Sequence, residues 1–276
     1  MGFFFAMKFY GNIRKMKASI NDEVNYFLPL FDNLNSSEEI SMNELIGQTI
    51  SISYSGTINC VVSGKRIKKT YGDGMSYDAF KSSPLAVESI IRPELSEIHE
   101  GIALRDYEWE MKHHLQPHYV YLSKTAGVKV GVTRTTQVPT RWIDQGAAEA
   151  LILAETPYRQ AAGLIEIGLK NHISDRTNWR KMLQNNLVDD DLYELREKLI
   201  PYIDSELVQY VKKTETISQI KFPVLKYPEK VKSVGLDKHP FIEEKLVGIK
   251  GQYLLFDNET VFNMRKHTGY LIELSY

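Results

Sequence analysis

The sequence predicts an α+β protein, and three observations carry that prediction. Residues 48–62 alternate β-branched and polar side chains, which is the period of a half-buried strand. Residues 118–186 switch from two such strands to helical spacing, in the order β-β-α-β-α-α. Residues 219–276 return to strand patterns separated by turn residues. The bulk numbers fit a globular chain: 276 residues, 43% apolar and 25% charged, with a net charge of −1.

Taken in order, residues 1–117 read as a β-rich region. The apolar run in MGFFFAMKFYGNIRKM is too short for a secretory leader and has no basic segment before it, and Ala6 stands where myristoylation favours Ser or Thr. Gln48–Ser55 (QTISISYS) is a strand, and Gly56 is expected to turn it back through Thr57–Val62 as a hairpin. SGKRIKKTYGDG then makes a basic turn, and 76–117 has little periodicity. In 118–186, HYVYLS and VKVGVT are strands joined by KTAG. Thr140 is the expected N-cap of a short helix, and ALILAE is a third strand ended by Pro157. Ala161, Ala162, Leu164, Ile165 and Leu169 fall at helical spacing, and Asp175 or Thr177 is expected to cap a helix through TNWRKML. Residues 187–218 read as a helical connector: Asp191 and Glu194 form a capping-box pattern, and Asp204 or Ser205 caps a second short helix. Residues 219–276 read as a small C-terminal β module, with GIKGQYLLFD and VFNMRKH as a hairpin around DNET and GYLIEL as a further strand.

Composition narrows the function classes. A single cysteine, Cys60, excludes an internal disulfide and any cysteine-built zinc site within one chain, and fits a reducing compartment. No stretch has the ~18 apolar residues of a membrane helix, so a cytoplasmic protein without a membrane partner is expected. Charge is uneven: residues 111–146 carry five cations against Asp144, a net of +4, whereas 186–206 carry seven acids against two cations, a net of −5. Such asymmetry suits a phosphate-binding face with an acidic flank, and equally suits uneven solvated surface.

The middle block resembles the GIY-YIG nuclease superfamily, on Tyr119-Val120-Tyr121 in one strand, Lys129-Val130-Gly131 in the next, and the β-β-α-β-α order. The resemblance implies a catalytic set of Tyr121, Arg141 and Glu166. Glu166 would hold one Mg or Mn ion, Arg141 would clamp a phosphate through its planar fork, and Tyr121 would serve proton transfer. Lys129, Gly131, Arg134, Gln145 and Asn178 would support phosphate or nucleic-acid binding. Two positions depart from the pattern: Lys129 stands for a tyrosine, and Gln145 for a histidine. A glutamine can orient a water but cannot take its proton. A second resemblance, to a bacterial family of uncharacterised proteins, rests on the RWIDQGA string at 141–147, the TNWR run and KGQYL at 250–254. Typical members carry zinc-ribbon-like cysteines in the N-terminal half. Here Cys60-x-x-Ser63 retains one sulfur, so no zinc is expected.

The expected function is therefore nucleic-acid binding with divalent-metal-dependent phosphodiester hydrolysis, or alternatively a non-catalytic interaction scaffold on the same fold. Blander roles exist for each group. Arg141 and Asp144 at i+3 can pair on the surface, Glu166 can pair with a lysine, and Trp142 and Trp179 can be core. His114 and His118 have the i,i+4 spacing of a metal pair, but Pro117 disfavours a helix there. The GKRIKK run at 64–69 can meet phosphates or remain solvated. The oligomeric state is open.

Overall fold

The computed structural model describes residues 7–173, 178–213 and 216–276. From the N-terminus the chain forms β1 (Lys8–Ile13), β2 (Lys17–Ile20), β3 (Val24–Asp32), β4 (Asn35–Ser41), β5 (Thr49–Asn59) and β6 (Arg66–Ile67), then the short helix α1 (Tyr77–Ser82). Four single-turn 3-10 segments lead through Pro84–Glu100 to α2 (Tyr107–His114). Next come β7 (His118–Lys124), β8 (Val128–Arg134), α3 (Thr140–Asp144), β9 (Glu149–Thr156) and α4 (Arg159–Lys170). The helices α5 (Trp179–Leu183) and α6 (Leu192–Leu199) and the strand β10 (Ser218–Gln219) follow. The chain ends with β11 (Lys232–Val234), β12 (Phe241–Lys250), β13 (Tyr253–Phe256), β14 (Thr260–Asn263) and β15 (Tyr270–Ser275). The class is α+β, with a large sheet and short helices.

The chain divides into two compact units, residues 1–81 with 221–276, and residues 82–220. The first is built on an 11-stranded sheet whose main path runs β11-β14-β13-β12-β5-β15-β1-β3-β2, with β4 on β3 and β6 on β5. The two β-rich stretches that the sequence suggests as separate modules are thus one sheet: β15 pairs with β1 and β5, and β12 pairs with β5. Such pairing joins strands far apart in sequence, and local periodicity carries no record of it.

Alternation still sorts the residues correctly along β5, where Ile50 and Ile52 are buried between half-exposed Ser51 and Ser53. The expected hairpin at Gly56 does not form. The strand runs straight on to Asn59, and Gly56, at φ +78°, makes a bulge instead. Tyr54 and Ile58 pair with Ile272 and Tyr270, so a four-residue step on β5 faces a two-residue step on β15. Left-handed backbone serves a bulge as well as a turn, and the pairing partner, β15 at the far end of the chain, decides which.

The second unit has a four-stranded antiparallel sheet in the order β10-β9-β7-β8. Its core joins Val120, Leu122, Leu151 and Leu153 of the sheet to Ile165 and Leu169 of α4 and Leu192 of α6. The β7–β8 hairpin, β9 and α4 lie where the sequence places them. Pro139, after a cis peptide bond, occupies the N-cap of α3, so Thr140 is the first helical residue rather than the cap. Asp191 caps α6 through the N–H groups of Tyr193 and Glu194, as expected. Asp204 accepts from the Glu206 N–H ahead of a 3-10 turn at Val208–Tyr210. The caps expected at Asp175 or Thr177 lie outside the described residues; Asn178 caps α5.

Candidate functional site

The site is assembled on the β7–β8 hairpin. Strand alternation sends Val120 and Leu122 to the helix-packed core. It puts Tyr121 and Ser123, with Lys129 and Gly131 opposite, on the other face. Tyr121 pairs directly with Gly131, and its ring lies over that residue. A Cβ at 131 would stand 2.6 Å from both Cζ and Oη of the phenol, so only glycine leaves room. The Trp142 ring of α3 meets the Tyr121 ring edge-on at 6.1 Å. Arg141 and Gln145 come from the same helix and its C-cap. The Gln145 Oε1 accepts a hydrogen bond from the Ser123 hydroxyl at 3.3 Å, which fixes the carboxamide against β7.

Further charged groups lie on α4, the helix that packs on the Val120 and Leu122 face of the sheet. Arg159, Gly163, Glu166 and Lys170 follow at steps of four, three and four, which places them along one stripe of the helix. Gly163 admits the backbone of the Pro93–Leu95 turn, since a Cβ there would lie 2.2 Å from the Glu94 nitrogen. Glu94 is thereby brought within electrostatic reach of Glu166. Arg159 is held by two carbonyls, its Nε donating to Ser89 O at 2.7 Å and its Nη2 to Ile90 O at 2.8 Å. Burial lowers this guanidinium to about 10; Glu166 and Glu94 act to raise it, and Arg141 and Arg134 to lower it.

Four polar atoms of these residues are buried without hydrogen bonds among the described residues: the Tyr121 hydroxyl, Trp142 Nε1, Glu94 Oε2 and Glu166 Oε2. Glu166 is 8% exposed. Lys170 Nζ stands 3.4 Å from Oε2, an ion-pair contact without hydrogen-bond geometry. Burial pushes the Glu166 carboxyl up, with Lys170 and Arg159 pulling it down and Glu94 adding to the rise. Burial also pushes the Tyr121 phenol up. Arg141 and Gln145 lie close enough to favour its ionised form, though neither meets the oxygen in good hydrogen-bond geometry, and the Glu166 charge opposes them. The Arg141 and Glu166 charges thus act on the phenol in opposite senses. An unsatisfied buried group costs about 1–3 kcal/mol, so each of these atoms is a stored demand for a partner.

Gly131, Arg141 and Gln145 lie close to Tyr121, and the Glu166 charge reaches its phenol from α4. Lys129 lies opposite Ser123, on the strand face of Gly131. Arg134 ends β8 opposite His118, and its charge reaches Arg159 and the buried His114 and His118. Asn178 is not among the converging groups as a free amide: its Oδ1 accepts the N–H groups of Arg180 and Lys181 at the start of α5. His114 and His118 are both buried, and their Nδ1 atoms bond the Ser96 hydroxyl and the Gln116 carbonyl. Among the described residues no group of three or more His, Cys, Asp or Glu is placed to hold a metal ion. One carboxylate can suffice for Mg²⁺, which keeps most of its waters, and at Glu166 such an ion would have to displace the Lys170 ammonium from Oε2. Sequence reading missed Arg159 and Glu94. The i,i+7 spacing of Arg159 and Glu166 was a usable signal for the first, whereas Glu94 arrives only through the close approach at Gly163.

A family model described as a protein of unknown function (DUF2797) matches residues 47–272, and the chain belongs to that family. No curated protein and no solved structure matches the chain.

Proposed function

We propose that this DUF2797 member binds nucleic acid on the Tyr121–Arg141–Glu166 face and hydrolyses phosphodiester bonds there. The observation that carries the reading is that two buried oxygens, Tyr121 Oη and Glu166 Oε2, lack hydrogen bonds among the described residues while cations stand near each, Arg141 by the phenol and Lys170 and Arg159 by the carboxylate. A phosphate and its attacking water would satisfy what the folded chain leaves open. The resemblance of the hairpin to the GIY-YIG superfamily supports the same chemistry. In this reading Arg141 clamps two phosphate oxygens at once. Tyr121, a protonated phenol near neutral pH whose ionisation burial makes harder still, holds the water in line. Gln145, fixed by Ser123, orients that water but cannot take its proton, which passes to solvent. A Mg²⁺ or Mn²⁺ ion on Glu166 would supply charge neutralisation at the leaving oxygen.

The competing reading is a non-catalytic scaffold that uses the same face for binding. It is favoured by Lys170 and Arg159, which already offset the Glu166 charge, and by Lys129 and Gln145 in place of proton-transfer groups. The two separate in one experiment. Labelled single- and double-stranded DNA and RNA are incubated with the full chain and Mg²⁺ or Mn²⁺, beside Glu166→Gln and Arg141→Ala. Hydrolysis predicts that each substitution lowers the cleavage rate by about a hundredfold or more, as for removal of one transition-state interaction. Equal background in all three proteins would leave only the scaffold.

A further inference from the structure

A second set of groups lies in the other unit, on residues 60–82. Backbone bonds make this segment rigid. Cys60 N–H donates to Lys65 O at 2.9 Å, Val61 N–H to Gly74 O at 3.0 Å, and Tyr71 and Met75 exchange bonds of 2.9 and 3.0 Å. The Cys60 sulfur accepts the Ser76 N–H at 3.1 Å, tying the two ends of the loop together. Burial pushes the thiol up, but bonds from the Ser63 hydroxyl and from the N–H groups of Ser76, Ser63 and Val62 outweigh it and bring it to about 6.

Three aromatic rings stand on this support. Tyr71 and Tyr77 are 5.2 Å apart between centroids, and Tyr71 and Phe80 6.3 Å. Phe80 rests on Gly72, where a Cβ would come within 3.2 Å of the ring. Tyr77 is 53% exposed and Phe80 36%. Lys69 Nζ lies 5.2 Å from the Tyr71 centroid and Lys81 Nζ 5.4 Å from that of Tyr77. The neighbouring Lys65, Arg66 and Lys68 are exposed. Over residues 64–82 five cations face only Asp73 and Asp78, a net of +3. Asp73 is further engaged by Arg265, which donates at 3.0 and 2.7 Å.

Exposed rings with cations over and beside them are the two requirements of single-strand recognition: a surface for unpaired bases to stack on, and charge for the phosphates between them. A duplex offers no open base face to such rings. An acidic peptide would meet the lysines but give the rings nothing flat to stack against. We propose that the Tyr71–Tyr77–Phe80 cluster, with Lys69 and Lys81, is a docking platform for single-stranded nucleic acid. It goes beyond the hydrolysis reading and stands on residues of the other unit.

The test is fluorescence anisotropy of a labelled oligothymidylate with the full chain in EDTA, so that cleavage plays no part. Tyr77→Ala is expected to weaken binding about tenfold, the usual loss for one stacking ring. Tyr77→Phe keeps the ring and should bind as the parent chain does. The double variant Lys69→Gln, Lys81→Gln should flatten the salt dependence, by about 0.7 in log–log slope for each phosphate no longer neutralised. An abasic strand of equal length should bind weakly to every variant. If Tyr77→Ala binds like the parent, if the abasic strand binds as tightly as the thymidylate, or if a polyglutamate peptide displaces the strand at equal concentration, the platform is overturned. Ring-dependent binding in a protein that cleaves nothing would retain the platform and remove only the hydrolysis.

Discussion

At the scale of single residues, the Tyr121 hydroxyl sets stability against function. It is buried and meets no partner among the described residues in hydrogen-bond geometry, so removing it should relieve a cost. Tyr121→Phe is expected to raise stability by about 1 kcal/mol in urea unfolding, and under the proposed function to slow cleavage. A Phe variant less stable than the parent would show that the hydroxyl already has a partner in solution. Gly131→Ala moves the other way. The added methyl would sit 2.6 Å from the phenol, whose ring is backed by Trp142 and cannot swing clear cheaply. Overpacking of this kind costs about 1–3 kcal/mol. The glycine was legible in the sequence as the residue after Lys129-Val130. Its reason was not, because the crowding comes from the Tyr121 side chain on the preceding strand, which register alone brings opposite.

At the scale of elements, α4 offers a controlled comparison. Alanine favours a helix over glycine by about 1 kcal/mol, so Gly→Ala on a free helix face stabilises. At Gly168 the new Cβ would meet only the Tyr202 carbonyl, at 3.2 Å, so a shift of a few tenths of an ångström in the 200–202 turn decides whether part of that gain survives. At Gly163 it would meet Glu94 nitrogen at 2.2 Å, a backbone atom that cannot move alone. Gly163→Ala should therefore lose about 1–3 kcal/mol net and shift Glu94 away from Glu166. Chemical denaturation of the two variants side by side reads the difference; similar midpoints would mean that the 93–95 turn is not seated on α4 in solution. The hairpin, β9, α4 and α6 were readable because each announces itself by local period or cap. The 3-10 turns of 84–100 were not, since their order comes from packing on α4 rather than from their own pattern. Gly56 misled for a related reason: its positive φ was correctly signalled, but a distant strand converts the turn into a bulge.

At the scale of the whole molecule, the two units carry separate reporters. All three tryptophans, Trp109, Trp142 and Trp179, fall in residues 82–220, while the single cysteine falls in the other unit. Tryptophan emission therefore follows the unit that holds the candidate site, and alkylation of Cys60 follows the large sheet. The first should be acid-sensitive. Burial holds His114 down at about 3, with Arg159, His118, His113 and Arg134 adding to the effect. Burial also holds His118 at about 4, where the Gln116 carbonyl bond opposes the drop and the Arg159 and Arg134 charges deepen it. An unfolded histidine titrates near 6.5, so between that value and the two native ones the unfolded chain takes up protons that the folded chain refuses. Stability is then whole above about pH 6.5 and falls as pH drops towards 4 and 3, by roughly 1.4 kcal/mol per pH unit for each histidine. Glu166, pushed up by burial, works in the opposite sense by protonating first in the folded state, but it is one group against two. Urea titrations followed by tryptophan emission should show the midpoint falling between about pH 7 and pH 5. A tryptophan midpoint that stays level across that range would mean that His114 and His118 are hydrated in solution. The charged wall formed by Arg134, Arg159 and the site would then be open to water rather than packed behind the hairpin.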